Sequence, residues 1–495
     1  MELKPKANLT DTEVKRGMRM IIGDGLATES MTVLIGGAFL TSMALLLGAT
    51  NFEIGLLAAL PTVTNIFQLI SIWLVKKYNN RRAISVICSI LARMPLVLIG
   101  VTLFIVDTPS IKPIIIFLFC YYFFGSVAGP SWNAWMKDLI PEKSLGSYFS
   151  RRSSYMQILN VLLSLILALT LSHIRQTNPE YELDAYKWMF IGAGIVGISG
   201  ALVLTKVPEP QSFLSKESIF KQLKKPLKDG NFRRLLIFNS AWVFALNIAT
   251  PFFNVFMMKT LGLSLPYIIG FSILTQISSI LIIRMWGRFA DRYSNKTIIA
   301  ICGPLYILCL IGWCFAGIYS TFINNLILLA LIHIGTGIAT AGITLSLTNI
   351  GLKLAPANES IVYLSAKNII TSFASSAAPL IGGILADYFN HRTLNINIEW
   401  SGPKAHKIFH LLALHEFNFL FLTGAVLAFI ALELLVAVKE TGEVDKEEVV
   451  RMMRSNVRSN LKEYFLIGHL ITWQEQLWNL IRRKAPKTMD HPHDN

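Results

Sequence analysis

The chain has 495 residues, 53% of them apolar and only 15% charged, with a mean hydropathy of +0.52. A soluble globule carries about 25% charged residues, and one this apolar would lack the polar side chains to cover its surface. Disordered, collagenous and disulfide-stapled classes are thereby excluded, and a soluble enzyme is strongly disfavoured. The net charge of +15 reflects 45 Lys and Arg against 30 Asp and Glu. In a soluble protein that excess would point to nucleic acid; in a membrane protein it points to basic cytoplasmic loops.

Residues 1–19 form a polar, charged tail in which no signal peptide is read. Twelve segments then qualify as spanning helices of about 20 mainly apolar residues, at roughly 20–46, 53–75, 83–106, 113–136, 153–173, 187–206, 235–258, 266–286, 296–316, 324–350, 361–387 and 408–438. Most are apolar around the whole helix, as expected of lipid-embedded helices, and nothing shows the short alternating segments of a membrane β-barrel. With the N-terminal tail placed in the cytoplasm, inner segments carry 36 Lys and Arg, outer loops 7, and Arg93 and Lys367 fall within spans. That bias predicts cytoplasmic N- and C-termini. It also accounts for the basic charge without nucleic acid. The five cysteines lie inside apolar runs with neither CxxC spacing nor a His cluster, so no metal, cofactor or disulfide framework is expected.

The domain plan that follows is a cytoplasmic tail (1–19), a six-helix bundle (20–206), a central cytoplasmic loop (207–234), a second six-helix bundle (235–438) and a cytoplasmic tail (439–495). In that last tail Leu470, Trp473, Leu477, Leu480 and Ile481 recur at helical spacing beside Arg482, Arg483 and Lys484. An interfacial helix on anionic lipid and a helix packed on the protein's own face fit that pattern equally. An internal repeat supports the division. A single shift of the chain along itself brings Leu139 onto Leu354, Pro141 onto Pro356, Tyr148 onto Tyr363, Ser150 onto Ser365, Arg152 onto Lys367 and Gly55 onto Gly270, and lays residues 77–81 on 292–296. One ungapped offset across separated loops implies two parallel six-span halves related about the membrane normal, a transporter plan.

The loop Gly287-Arg288-Phe-Ala-Asp291-Arg292-Tyr-Ser-Asn-Lys296 resembles the signature loop G-x-x-x-D-R-x-G-R-[RK] of the major facilitator superfamily in its C-terminal copy. Pro208-Glu209-Pro210 after the sixth span and the stretch 379–387, PLIGGILAD, are also similar to this superfamily, and the resemblance covers residues 19–438. It implies an all-α membrane fold of two pseudo-symmetric six-helix bundles rocking about a cavity between spans 1, 4, 7 and 10. It also implies that Asp291, Arg288 and Arg292 latch the C-terminal half when the cavity faces outward; the bland alternative is a snorkelling topology signal. The N-terminal copy departs, with Ile72 in place of the Gly and Lys76 in place of the Asp. The Gly-rich antiporter motif of drug-efflux members is missing from span 5. The local match Gly125-x-x-x-Gly129-Pro130 lies in span 4 and reads as helix packing plus a kink.

Ionisable groups deep in spans are costly and therefore candidates for function. Glu29 lies about 13 Å into span 1, where a desolvated carboxylate could carry a coupled proton, or be a packed, hydrogen-bonded Glu. Asp24 reads as a surface ion pair with Arg19, and Arg93, near the midplane of span 3, as the structural partner of Asp24 or Glu29. His333 in span 10 could relay a proton or be a neutral His satisfied by backbone. Lys367 reads as snorkelling, and Glu416 as interfacial. Asn239, Asn247 and Asn254 recur at about two-turn intervals on span 7 and are expected to line a cavity. Asn65 with Gln68, and Gln157 with Asn160, are either lining or helix glue. Trp132 and Trp135 fit a membrane-interface belt more readily than sugar stacking.

The function expected is a secondary active transporter of a small organic solute, proton-coupled through Glu29, with symport the favoured form and direction left open. The chain is expected to be monomeric, not an enzyme, and to reside in the plasma membrane (the inner membrane of a bacterium). An uncoupled facilitator and a non-transporting membrane sensor on the same fold are the alternatives.

Overall fold

The computed structural model describes residues 5–6, 9–106, 109–211, 224–317, 322–356, 360–402 and 405–440. The amphipathic stretch around Trp473 lies outside the described residues, as do residues 212–223 of the central loop.

Twelve helices are long and apolar enough to cross a membrane: Asp11–Leu46, Asn51–Tyr78, Arg81–Ile105, Ile111–Leu139, Ser144–Thr177, Pro179–Leu204, Gly230–Thr260, Leu265–Arg292, Asn295–Trp313, Phe322–Leu354, Val362–Phe389 and Phe417–Ala437. They are spans 1 to 12 below. Several begin earlier than hydropathy suggests because polar caps fix their starts. Thr10 accepts the Glu13 amide at 3.3 Å while Glu13 accepts the Thr10 amide at 3.0 Å, and Thr50 with Glu53 repeats that reciprocal box before span 2. Asp229 caps span 7 by accepting from Asn231 and Phe232.

Spans 6 and 12 carry a 3₁₀ turn only at one end, whereas spans 1, 2 and 7 depart from the α-helix within their length. Span 1 breaks at Gly36, and the next residue, Gly37, sits at φ +56°, a left-handed conformation that favours glycine. Span 2 tightens to a 3₁₀ turn over Thr64–Phe67. Span 7 passes through a 3₁₀ turn at Thr250–Phe252, where Pro251 removes a backbone donor, and a π turn at Phe256–Thr260. The offset that superposes the loops also carries Gly36, at the break in span 1, onto Pro251 of span 7. The repeat therefore extends to this one distortion, while the positions equivalent to the span 2 turn, 279–282 of span 8, are regular α-helix.

Packing repeats as well. Span 1 lies on spans 5 and 6, span 3 on spans 4 and 6, and span 2 on span 4; span 7 lies on 11 and 12, span 9 on 10 and 12, and span 8 on 10. Each half is also pinned at the end that carries the chain termini by a carboxylate that follows its last span. Glu209 of the Pro-Glu-Pro stretch accepts from the amides of Arg81 (2.8 Å) and Arg82 (3.1 Å) at the start of span 3. The Arg81 side chain joins Glu209 at 3.2 Å and also reaches Asp138 of span 4. In the second half Glu440 accepts from Asn295 (2.7 Å), the Lys296 amide (2.8 Å) and Lys353 of span 10 (3.0 Å). Burial pushes the Glu440 carboxyl up, but the hydrogen bonds from Asn295, Lys296 and Lys353 outweigh it and hold the group below the usual carboxylate range.

The main departure from expectation lies between spans 11 and 12. Residues 393–402 and 405–415 form an antiparallel hairpin, with Thr393 opposite His415 and a register shift after Ile396. Span 12 therefore begins at Phe417, not near residue 408. Residues 408–415 look like the start of a helix in a hydropathy window, but they pair as a strand because residues 394–400 alternate apolar and polar at period two.

Candidate functional site

A cavity of about 490 Å³ opens inside the first bundle, and every residue lining it belongs to spans 1 to 6. Of the four spans expected to surround a central cavity, spans 1 and 4 line it and spans 7 and 10 do not. A second cavity of about 230 Å³ lies at the two helix breaks, lined by Gly36, Gly37 and Thr41 of span 1 and by Pro251 and Asn254 of span 7. Pro61 and Tyr122 line both cavities, so the two adjoin.

The charged floor of the larger cavity is the pair Asp24 and Arg93, 4% and 6% exposed. Arg93 Nη2 stands 3.5 Å from Asp24 Oδ1 and donates to Thr28 Oγ1 at 2.9 Å. Thr28 follows Asp24 by four residues, which puts both on one face of span 1. Five residues correspond to about 140° of helical rotation, so Arg19 cannot reach Asp24; the expected surface pair is replaced by a buried one. Glycines make the room. A Cβ at Gly200 would lie 3.3 Å from Asp24 Oδ1, one at Gly197 3.1 Å from Arg93 Cδ, and one at Gly25 2.7 Å from the Arg152 guanidinium.

Glu29, also five residues beyond Asp24, turns away from this cavity and accepts from Asn160 of span 5 at 2.7 Å. Of the polar pairs, Asn65 and Gln68 do line the cavity, bonded to one another at 3.1 Å, and Asn65 reaches Ser372 of span 11 at 3.4 Å. Gly125, Gly129 and Pro130 line it too. Apart from the local backbone of span 4 itself, nothing lies within 4 Å of a Cβ built on either glycine, so they open space for the cavity and are not a packing motif. Trp132 is a cavity wall with the Arg152 guanidinium 5.2 Å over its ring. Trp135 is fully buried and donates to the Pro208 carbonyl at 2.9 Å, so neither Trp belongs to an interface belt.

In the second half the span 7 asparagines diverge: Asn239 and Asn247, eight residues apart on one regular helix, differ by about 80° of rotation, and the Thr250–Phe252 turn lies between Asn247 and Asn254. Asn239 is buried and lines neither cavity, Asn247 donates to Ser375 of span 11 at 3.1 Å, and Asn254 lines the smaller cavity. His333 also lines neither. Its Nδ1 lies 2.8 Å from Thr275 Oγ1, its ring stacks on Phe271, and Trp313 meets it edge-on. Lys367 does not snorkel; it is buried and donates to the Leu347 carbonyl at 3.1 Å. Gly287, Arg288, Asp291 and Arg292 form the last turn and a half of span 8; Arg288, Asp291 and Arg292 are exposed, and among the described residues Asp291 makes no ion pair.

The seam between halves is tight at the end away from the termini. Spans 2 and 11 approach so closely that a Cβ at Gly55 would run into the Pro379 carbonyl, and one at Gly383 would lie 2.8 Å from the Asn51 carbonyl. Asp387 accepts from the Asn51 and Phe52 amides at 3.2 and 3.1 Å. The stretch PLIGGILAD is thus the packing edge of span 11, with Pro379 and Gly383 set against span 2 and Asp387 capping its start. Towards the termini, span 2 from Gln68 to Tyr78 packs on spans 3 and 4, leaving Trp73 and Tyr78 exposed.

Two six-span repeats around polar cavities, closed at one end, define a multi-pass membrane transporter rather than an enzyme. The chain belongs to the Major Facilitator Superfamily, whose family profile matches residues 27–379, and it is a secondary transporter. No curated protein matches it in sequence. Among solved structures it is similar to the nucleoside transporter NupG, at 13% identity and a TM-score of 0.63 over 86% of this chain and 98% of that one. It is also similar to an inward-facing bacterial homolog of the human lysosomal transporter Spinster (14% identity, TM-score 0.55, 77% of this chain and 84% of that one). A third is the inward-open xylose transporter XylE from E. coli (14%, 0.54, 89% and 98%). At these identities the likeness is one of fold.

Proposed function

We propose that the protein moves a small organic solute by proton-coupled alternating access, with both termini in the cytoplasm and the cavities described above open to that side. The observation that carries this reading is the buried Asp24–Arg93 pair on the floor of a cavity at the open end. A carboxylate that lines the cavity and leans on a cation can exchange its proton with solute binding; one held against Asn160 outside the cavity, as Glu29 is, has no such route. The proton is therefore assigned to Asp24. The charged groups that share its surroundings are Arg93 from span 3 and Arg152 from span 5, while Tyr121 and Tyr122 of span 4 are the other titratable groups on the cavity wall. The cytoplasmic placement of the termini rests on the 36-to-7 distribution of Lys and Arg.

Alternating access then opens the Asn51–Asp387 seam and closes the terminus-bearing end. There Asp291, Arg288 and Arg292, exposed in the present state, come within reach of a partner and act as the latch of the opposite state. Reconstitution into proteoliposomes tests this. Counterflow of a labelled solute is expected, with pH-driven accumulation lost in Asp24→Asn while exchange persists, and both retained in Glu29→Gln. Accumulation that survives Asp24→Asn and fails in Glu29→Gln returns the proton to Glu29. Counterflow indifferent to pH in every variant makes the protein a facilitator.

A further inference from the structure

We propose that the cavity of the first bundle recognises the anionic group of the solute, a carboxylate or phosphate, between the guanidinium groups of Arg93 and Arg152. The inference rests on the transport reading and adds the chemical class of the cargo.

Charge is the first argument. The cavity wall holds two guanidiniums and one carboxylate, Asp24, so it carries one uncompensated positive charge. Arg152 makes no ion pair among the described residues; it leans on the Ile21 carbonyl at 3.5 Å and on the Trp132 ring. A guanidinium held in a space cleared by Gly25, facing an open cavity without a counter-ion in contact, is poised for a ligand's charge. Unmet hydrogen bonding is the second. Arg93 Nη1 and Ser85 Oγ, both donors, are buried with no hydrogen-bond partner, on side chains that are each at least nine-tenths buried and that line this one cavity. Buried polar atoms are paired almost everywhere else in proteins. Two orphan donors around one space point to a ligand whose oxygens complete them.

Geometry supplies the third argument. Planar guanidiniums bind carboxylate and phosphate oxygens bidentately, and Arg93, now 3.5 Å from Asp24, would exchange that long contact for a solute oxygen. The remaining volume, of the size usual for small-molecule pockets, takes a body that stacks on Trp132.

The experiment reads the cavity's charge preference without knowing the natural cargo. Ser89, half-buried on the cavity wall, is changed to Cys, and its labelling in the purified full-length protein is timed with a sulfonate-bearing and a trimethylammonium-bearing methanethiosulfonate of similar size. Labelling of the native cysteines is subtracted using the unsubstituted protein. The anionic reagent is expected to react faster, on the order of tenfold relative to the cationic one, and the ratio to fall severalfold when Arg152→Gln is added. Arg152 forms no ion pair with Asp24 among the described residues, so this variant keeps the test open if Arg93→Gln fails to fold. Benzoate and phenyl phosphate are expected to slow the labelling, and benzamide and benzylamine to leave it unchanged. A cationic reagent that reacts at least as fast, a ratio indifferent to Arg152→Gln, or equal protection by the neutral and cationic compounds overturns the inference. Anion selectivity without any solute counterflow would sink the transport reading alone; counterflow with no anion preference would sink this one alone.

Discussion

The two halves of the molecule share a scaffold and differ in content. At the terminus-bearing end they are near copies: Arg81 and Lys296, equivalent positions of the repeat, stand at the starts of spans 3 and 9, and each start is capped by a buried carboxylate, Glu209 or Glu440. Inside the bundles the likeness ends. The offset that carries Arg81 to Lys296 carries Asp24 to Asn239 and Arg93 to Leu308, a side chain exposed on the bundle surface. Where the first half holds a charged pair and a polar cavity, the second packs Phe253, Trp313, Phe421 and His333 ring against ring. A duplicated fold keeps the clamps that set helix positions in both copies. Among the described residues a buried ion pair in mid-span occurs only in the first copy, while the second keeps a lone buried cation, Lys367, on a backbone carbonyl.

The sharpest way to break this comparison is to remove the charge from the first half. Arg93→Gln leaves Asp24 buried and alone, and losing one partner of a buried pair costs about 3–5 kcal/mol. Thermal unfolding in detergent should show a large loss for Arg93→Gln and a smaller one for the Asp24→Asn, Arg93→Gln double variant. A double variant no better than the single would mean that the pair is not a coupled unit.

The clamps provide the next test, since they are the part held in common. Glu209→Gln should cost about 1.5–3 kcal/mol, the range for a hydrogen bond to a charged group. Glu440→Gln should cost less, because Lys353 is half exposed and screened by solvent. Since the folded Glu440 carboxyl lies below its ordinary value, its stabilisation is complete above that value and is lost as pH falls through the lowered one. The acid-side decline in melting temperature should therefore be shallower in Glu440→Gln than in the unaltered protein, and identical slopes would remove Glu440 from the account.

The smallest effect is expected at the closed seam. Asp387→Ala removes the acceptor of two amides of span 2 on an exposed edge, worth about 0.5–1.5 kcal/mol. A cysteine placed at Thr41, on the wall of the smaller cavity, should then react severalfold faster with a membrane-impermeant thiol reagent added from the closed side. An unchanged rate would mean that the glycine contacts with Pro379 and Asn51 hold the seam unaided.

The number of spans, the six-and-six division and the internal repeat were legible in the sequence because lipid enforces long apolar helices and because the duplicated loops kept their spacing. The hairpin at 393–415 was also legible in principle: Leu394, Ile396, Ile398 and Trp400 alternate with Asn395, Asn397 and Glu399 before Ser401-Gly402-Pro403. A hydropathy window averages that alternation away. The candidate site was only half legible. Arg93 with Asp24 was among the pairings that composition allows, since a guanidinium inside a membrane helix must find a carboxylate. That Asp24 and not Glu29 faces the cavity followed from which side of span 1 meets span 3, and a helix that is apolar all round does not announce its facing.

The sequence by itself therefore determined the class of protein, its crossings and its doubled plan, since those follow from local hydrophobicity and spacing. Only the tertiary structure decided that the larger cavity lies within one bundle, that Gly125 and Gly129 open it instead of packing a neighbour, and that Lys367 meets a backbone carbonyl and His333 Nδ1 a threonine hydroxyl. Each of those depends on the rotation of one helix against another. Rotation is fixed by interlocking side chains far apart in the chain, such as Gly197 and Gly200 making room for Arg93 and Asp24, and such contacts leave little trace in local order.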